Sequence, residues 1–165
     1  MRLILLGLLA LAACATTPSP AGDRAEITAL VAADAARLRV AWEARNASLI
    51  FPPGATGVSV ATPDGRTLGA DELRADLQRR MDMVRSIEEM STTVADIAII
   101  GDRAVATSNQ RFVRTIALPN GGQRQRISTV THMQDFARVN GRWQAAGPNR
   151  ESNQTARWAD EPAPN

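Results

Sequence analysis

The stretch STTVADIAII-GD-RAVATSNQRFVRTIAL-PNGG-QRQRISTVTHMQDFARV-NG-RWQAA, residues 91–146, decides the fold. It holds three long runs rich in β-branched and apolar residues, about 91–100, 103–118 and 124–139, and a short fourth run, 142–146. Gly101-Asp102, Pro119-Asn120-Gly121-Gly122 and Asn140-Gly141 separate them. Turn residues of this kind reverse the chain tightly, so the spacing predicts a meander of antiparallel strands.

The residues before this stretch repeat at helical spacing. Ile27, Leu30, Val31, Leu38, Ala41 and Trp42 recur every three or four positions, which predicts a helix over 24–45 with one apolar stripe. Asp23 and Glu26 stand at the spacing of a capping box. Phe51-Pro52-Pro53-Gly54 must leave helical geometry, since proline removes a backbone donor and restricts its predecessor. An extended piece over 58–62, a turn at Pro63-Asp64-Gly65 and a second helix over 70–85 follow. Leu73, Leu77, Met81 and Val84 form the buried side of that helix, and Arg79 and Asp82 its wet side. Helices followed by a meander imply an α+β plan.

The amino terminus tells where the chain goes. Arg2 precedes eleven apolar or glycine residues, 3–13, the length of a signal-peptide core and too short for a membrane span of roughly 20 residues. The only cysteine, Cys14, closes Leu11-Ala12-Ala13-Cys14, a sequence that resembles a bacterial lipobox. The resemblance implies that the Cys14 sulfur receives a lipid and becomes the first mature residue. It also implies attachment to the cell envelope, at the periplasmic face of the outer membrane in a Gram-negative source. One acyl chain holds only marginally, so stable anchoring wants more than one.

The expected organisation is a signal peptide at 1–13, a Thr/Pro/Ser-rich tether at 14–23, one domain at 24–147 and a polar tail at 148–165, which Trp158 could dock. Cleavage leaves 152 residues, enough for one ordinary core, with 18 basic residues against 17 acidic ones. That balance gives weak grounds for a nucleic-acid partner, and none is expected. Every basic residue is arginine and there is no tyrosine, so no Schiff-base lysine or phenolic acid is available to an active site. One histidine and one cysteine argue against a zinc site, and the glycines form neither a phosphate-binding loop nor a dinucleotide fingerprint. No metal and no cofactor is expected.

Pro63-Asp64-Gly65 followed by Gly69, Ile100-Gly101-Asp102-Arg103-Ala104-Val105 at a hairpin and Asn140-Gly141-Arg142-Trp143 near the end resemble, in order and spacing, the nuclear transport factor 2-like (NTF2-like) superfamily. The resemblance covers about 24–147 and is closest to the SnoaL-like and DUF4440-like branches. It implies a cone, in which a strongly curved antiparallel sheet and its helices enclose a cavity. It also implies a common tendency to dimerise through the sheet. Relatives include isomerases, cyclases, dehydratases and modules without chemistry. Those using acid–base chemistry often carry an acidic residue just beyond the first helix. Asn46-Ala47-Ser48 stands there instead, and an amide or hydroxyl cannot act as the same general base.

Candidate catalytic residues are Asp34, four positions from both Leu30 and Leu38 on the inner stripe, and His132, the only side chain that ordinarily titrates near neutrality. An apolar surrounding would suit Asp34 to proton transfer; a wet edge or an arginine partner is the plainer reading. His132 shares a strand face with Val130, Gln134 and Phe136, and neither face of that strand is purely apolar. Arg45, Asn109, Arg111 and Arg114 are candidate ligand-binding residues for a small polar or anionic molecule. Arg45 would complement Asp34 across three helical turns. Asn109, Arg111 and Thr115 lie on one strand face and Gln110, Phe112 and Arg114 on the other, so either face brings an arginine inward. Two functions follow: a lipid-anchored envelope module that binds a small molecule, an envelope protein or a second copy, and, alternatively, a SnoaL-like isomerase or hydratase working by acid–base chemistry.

Overall fold

The structure, a computed structural model, describes residues 19–55, 59–61, 67–147 and 149–162. Cys14, the leader, the first half of the expected tether and the turn Pro63-Asp64-Gly65 lie outside the described residues.

Helix α1 spans Pro20–Glu43. It starts earlier than Asp23, because Ser19 is the cap: its Oγ accepts the Gly22 N–H at 3.1 Å, and Pro20 takes the first helical position, where no donor is needed. A 3-10 turn, Ala47–Leu49, follows, capped by Asn46, whose Oδ1 accepts the Ser48 N–H at 3.0 Å. Strands β1 (Ser59–Ala61) and β2 (Thr67–Gly69) pair with each other and lead into α2 (Ala70–Asp82). The Glu72 carboxylate accepts the Gly69 N–H at 2.9 Å and closes the start of α2.

The main sheet comprises β3 (Val84–Ile100), β4 (Arg103–Ala117), β5 (Gln123–Val139), β6 (Arg142–Ala145) and β7 (Arg150–Trp158). All pairings are antiparallel, in the order β3-β4-β5-β6, with β7 also on β5. Asn140 and Gly141 both take positive φ, 52° and 77°, which a two-residue hairpin between twisted strands requires. The polar tail expected over 148–165 instead contains β7: Thr155, Thr129 and the strand ladder between them join residues 150–158 to the sheet.

The α+β plan holds, but the strongly curved cone does not. The sheet is neither closed nor strongly curled. β6 and β7 occupy the same edge of β5 one after the other, so the sheet is four strands wide at any level, while closure into even a small barrel takes about eight. Among the described residues β3 keeps an open edge, and its register shifts at three places along β4.

One apolar cluster fixes α1 to a face of this sheet, and a second joins α1 to α2. Ile27 and Val31 of α1 meet Ile97, Ala104, Ala106, Phe136 and Trp143. Further along, Ala41, Ala47 and Met81 bind the end of α1 to α2, with Trp42, Ile50 and Leu77 beside them. Gln78 reinforces this second junction: its Oε1 accepts the Ala47 N–H at 3.1 Å and its Nε2 donates to the Arg45 carbonyl at 2.9 Å.

Candidate functional site

The face of the sheet that looks toward α1 carries the even-numbered residues of β4 and β5. Ala104 faces Phe136, Ala106 faces Gln134, Ser108 faces His132, Phe112 faces Ser128 and Arg114 faces Arg126 across the strand pair. Alternation along each strand therefore sends His132, Gln134 and Phe136 inward together. α1 lies over these rows, so the sequence leaves between helix and sheet whatever space the side chains do not fill.

Two adjoining pockets occupy that space. A narrow one of about 50 Å³ is lined by Asp34 and Leu38 of α1, by Ser108 and Gln110 of β4 and by His132 and Gln134 of β5. A wider open groove of about 290 Å³ continues past Leu30, Asp34, Arg37, Gln134 and Phe136. Asp34 belongs to both. Its Oδ1 accepts a hydrogen bond from Arg37 Nη2 at 2.6 Å, on the rim of the groove.

His132 is the most unusual residue here. Both ring nitrogens, Nδ1 and Nε2, are buried and neither has a hydrogen-bond partner among the described residues. A buried polar atom left without a partner costs about 1–3 kcal/mol, so such atoms are rare in folded proteins. A neutral imidazole carries one donor and one acceptor, so the ring offers both to a polar guest. Glu151 of β7 stands directly opposite His132, and residues paired across an antiparallel ladder project to the same face. Sequence reasoning missed Glu151 because it assigned 148–165 to a tail; alternation within Arg150–Trp158 was the available signal, too polar to read as a strand.

The ligand-binding candidates are dispersed. Arg45 lies beyond the end of α1 with φ 50° and donates through Nη2 to the Arg85 carbonyl at 2.9 Å. It leaves the helical stripe and does not join Asp34, whose partner is Arg37. Asn109 and Arg111 lie on the opposite sheet face, in an open depression of about 450 Å³ with Ser91, Thr93, Thr129 and Thr131. There Asn109 Oδ1 accepts from the Thr131 hydroxyl at 3.0 Å and Arg111 pairs with Glu89 at 2.9 Å. That pairing, then a hydrogen bond from Ser91, holds the Glu89 carboxyl below its ordinary range. Arg114 faces α1, its guanidinium 4.3 Å from the centre of the Phe112 ring.

At the other end of the inner face Arg138 Nη2 meets Asp23 Oδ2 at 2.6 Å, with both side chains largely buried and the guanidinium 4.6 Å from the Trp143 ring. The Arg138 hydrogen bond holds the Asp23 carboxyl below the usual carboxylate range. Among the described residues, no group of three or more His, Cys, Asp or Glu side chains could hold a metal ion, and no helix is long and apolar enough to cross a membrane.

No protein-family model and no curated protein matches the chain. Among solved structures, it is similar to a conserved protein from Planctomyces limnophilus DSM 3776, 22% identical, with a TM-score of 0.53 over 82% of this chain and 98% of that one. It is also similar to an NTF2-like superfamily protein from Salmonella enterica, 18% identical, with a TM-score of 0.46 over 81% and 92% of the two chains. An NTF2-like protein from Cytophaga hutchinsonii is 14% identical, with a TM-score of 0.41 over 71% and 91%. The first of these likenesses shows a shared fold.

Proposed function

We propose that the groove between α1 and the sheet takes a small polar molecule and that His132 moves a proton on it. This is the chemistry of an isomerase, hydratase or dehydratase of the SnoaL-like kind. One observation carries the reading: the chain's only imidazole has two buried nitrogens without a partner among the described residues, at a pocket that Asp34 also lines. In the proposed step a C–H bond beside a carbonyl breaks, its proton passes to the imidazole, and its electron pair moves onto the carbonyl oxygen. Ser108, Gln110 and Gln134 line the pocket as hydrogen-bonding partners for that oxygen. Asp34, which lines the same pocket, is the carboxylate placed to balance the imidazolium.

The test is solvent deuterium exchange. The protein is incubated in D2O with a panel of small enones and β-hydroxy ketones, and the carbons beside the carbonyl are followed by NMR. Exchange above the buffer rate is expected with at least one compound. His132→Asn should lower it by about 10²–10⁴-fold, the usual contribution of a positioned acid or base. Exchange that His132→Asn and Asp34→Asn both leave untouched would sink the proposal.

A second reading, binding without turnover, draws on the engagement of Asp34 by Arg37 at 2.6 Å. Saturable binding of a panel compound with no exchange would favour it. For placement we propose a lipid tether through Cys14 to the cell envelope, supported by Leu11-Ala12-Ala13-Cys14 behind an apolar leader. Mass spectrometry of the native amino terminus checks it: acyl mass on Cys14 is expected, and an unmodified chain starting at Met1 rejects the tether.

A further inference from the structure

Arg114 and Arg126 are directly opposed on β4 and β5, on the face toward α1. Like charges in that position repel, yet both side chains are half-buried and neither forms an ion pair among the described residues. The surroundings hold the two cations in place without neutralising them. Arg114 lies 4.3 Å from the Phe112 ring centre and 5.8 Å from that of Trp42, while Arg126 lies 5.8 Å from the ring centre of Trp158. Arg114 Nη1 donates to Ser128 Oγ at 3.3 Å, which uses one of the five donors a guanidinium carries. Arg80 of α2 adds positive charge, although its own Nε pairs with Asp76 at 2.7 Å.

We propose that Arg114 and Arg126 form a binding site for a small organic anion, its carboxylate or phosphate held between the two guanidinium forks and its body against the aromatic rings. Planar forks match the oxygen pairs of both groups. A local conflict with no remedy among the described residues is what a site looks like before its ligand resolves it. Burial first, and then the charges of Arg126 and Arg80, lower the Arg114 pKa to about 10, consistent with a cation short of a counter-charge. The site is separate from the His132 pocket: His132 lies six positions along β5 from Arg126, roughly 20 Å at about 3.3 Å per residue. It stands whether or not the proton-transfer reading does.

The experiment titrates the protein with inorganic phosphate and, separately, with benzoate, at an ionic strength held constant with chloride, following the melting temperature and tryptophan fluorescence. A saturable rise in melting temperature with at least one anion is expected. Arg114→Gln and Arg126→Gln should each weaken that binding at least tenfold. Arg126→Lys, which keeps the charge and loses the fork, should fall between them and the wild type. Without added anion Arg126→Gln should melt no lower than the wild type, because the repulsion is gone. Response to phosphate alone assigns a phosphate ligand, to benzoate alone a carboxylate, and to both the shared anion chemistry. Response to neither, or undiminished binding in Arg126→Gln and Arg114→Gln, overturns the proposal.

Discussion

The two ends of the inner sheet face repeat one motif with opposite outcomes. At the end beside the start of α1, Arg138 stacks 4.6 Å from Trp143 and is closed by Asp23 at 2.6 Å. At the far end, Arg114 stacks 4.3 Å from Phe112 and faces a second arginine, Arg126, where a carboxylate would be expected. The electrostatics diverge accordingly. The hydrogen bond to Asp23 raises the Arg138 pKa, whereas burial and like charge lower that of Arg114 to about 10. An arginine over a ring is neither structural nor functional by itself; what stands opposite it sets its electrostatics.

The sharpest way to break the closed end is through its packing. Phe136 is 2% exposed beneath α1, and Phe136→Ala should cost about 3–5 kcal/mol in urea unfolding, the usual range for a buried aromatic truncation. A loss below about 1 kcal/mol would show that α1 does not hold this end.

Next in size is the ion pair. Asp23→Asn should lower the melting temperature at neutral pH, because it leaves Arg138 beside an uncharged amide. The sign with pH follows from the lowered Asp23 pKa. The unfolded chain binds the proton more readily, so the contribution is complete above the ordinary carboxylate range and drains away as pH falls below about 4. Thermal melts from pH 7 to pH 2 should show a steeper acid decline in the wild type than in Asp23→Asn.

The open end should do the reverse in alkali. A cation whose pKa is lowered in the fold destabilises it while charged, so stability should rise as pH passes about 10 toward the ordinary arginine value. Arg114→Gln should flatten that rise. The composition makes this measurable, since a chain without lysine or tyrosine has few other groups titrating there. The smallest effect belongs to the rim. Arg37→Ala removes an exposed pair with Asp34 and should change stability by less than about 1 kcal/mol, while altering deuterium exchange at the groove if Asp34 takes part.

The sequence by itself determined the elements that local chemistry controls. Gly101-Asp102, Asn140-Gly141 and the long β-branched runs set three hairpin strands, and the three-to-four spacing of Ile27, Val31 and Ala41 set α1. It also brought Asp34 and His132 forward as candidates, and the structure places both on one pocket. Boundaries and partners were another matter. Arg45 sat on a periodicity that the helix, ending at Glu43, does not continue to it.

Only tertiary structure decided the faces and the edges. Residues 150–158 are too polar to declare themselves a strand, and the open edge of β5 makes them one, which brings Glu151 opposite His132 and Trp158 opposite Arg126. The same crowding of β6 and β7 onto one edge limits the sheet to four strands across and leaves it open where a cone was expected. Which arginine meets a carboxylate and which meets another arginine is settled by register between strands far apart in the chain. Hydrophobic period fixes a residue's side of its own element, but charge balance depends on what lies opposite, and no local pattern contains that information.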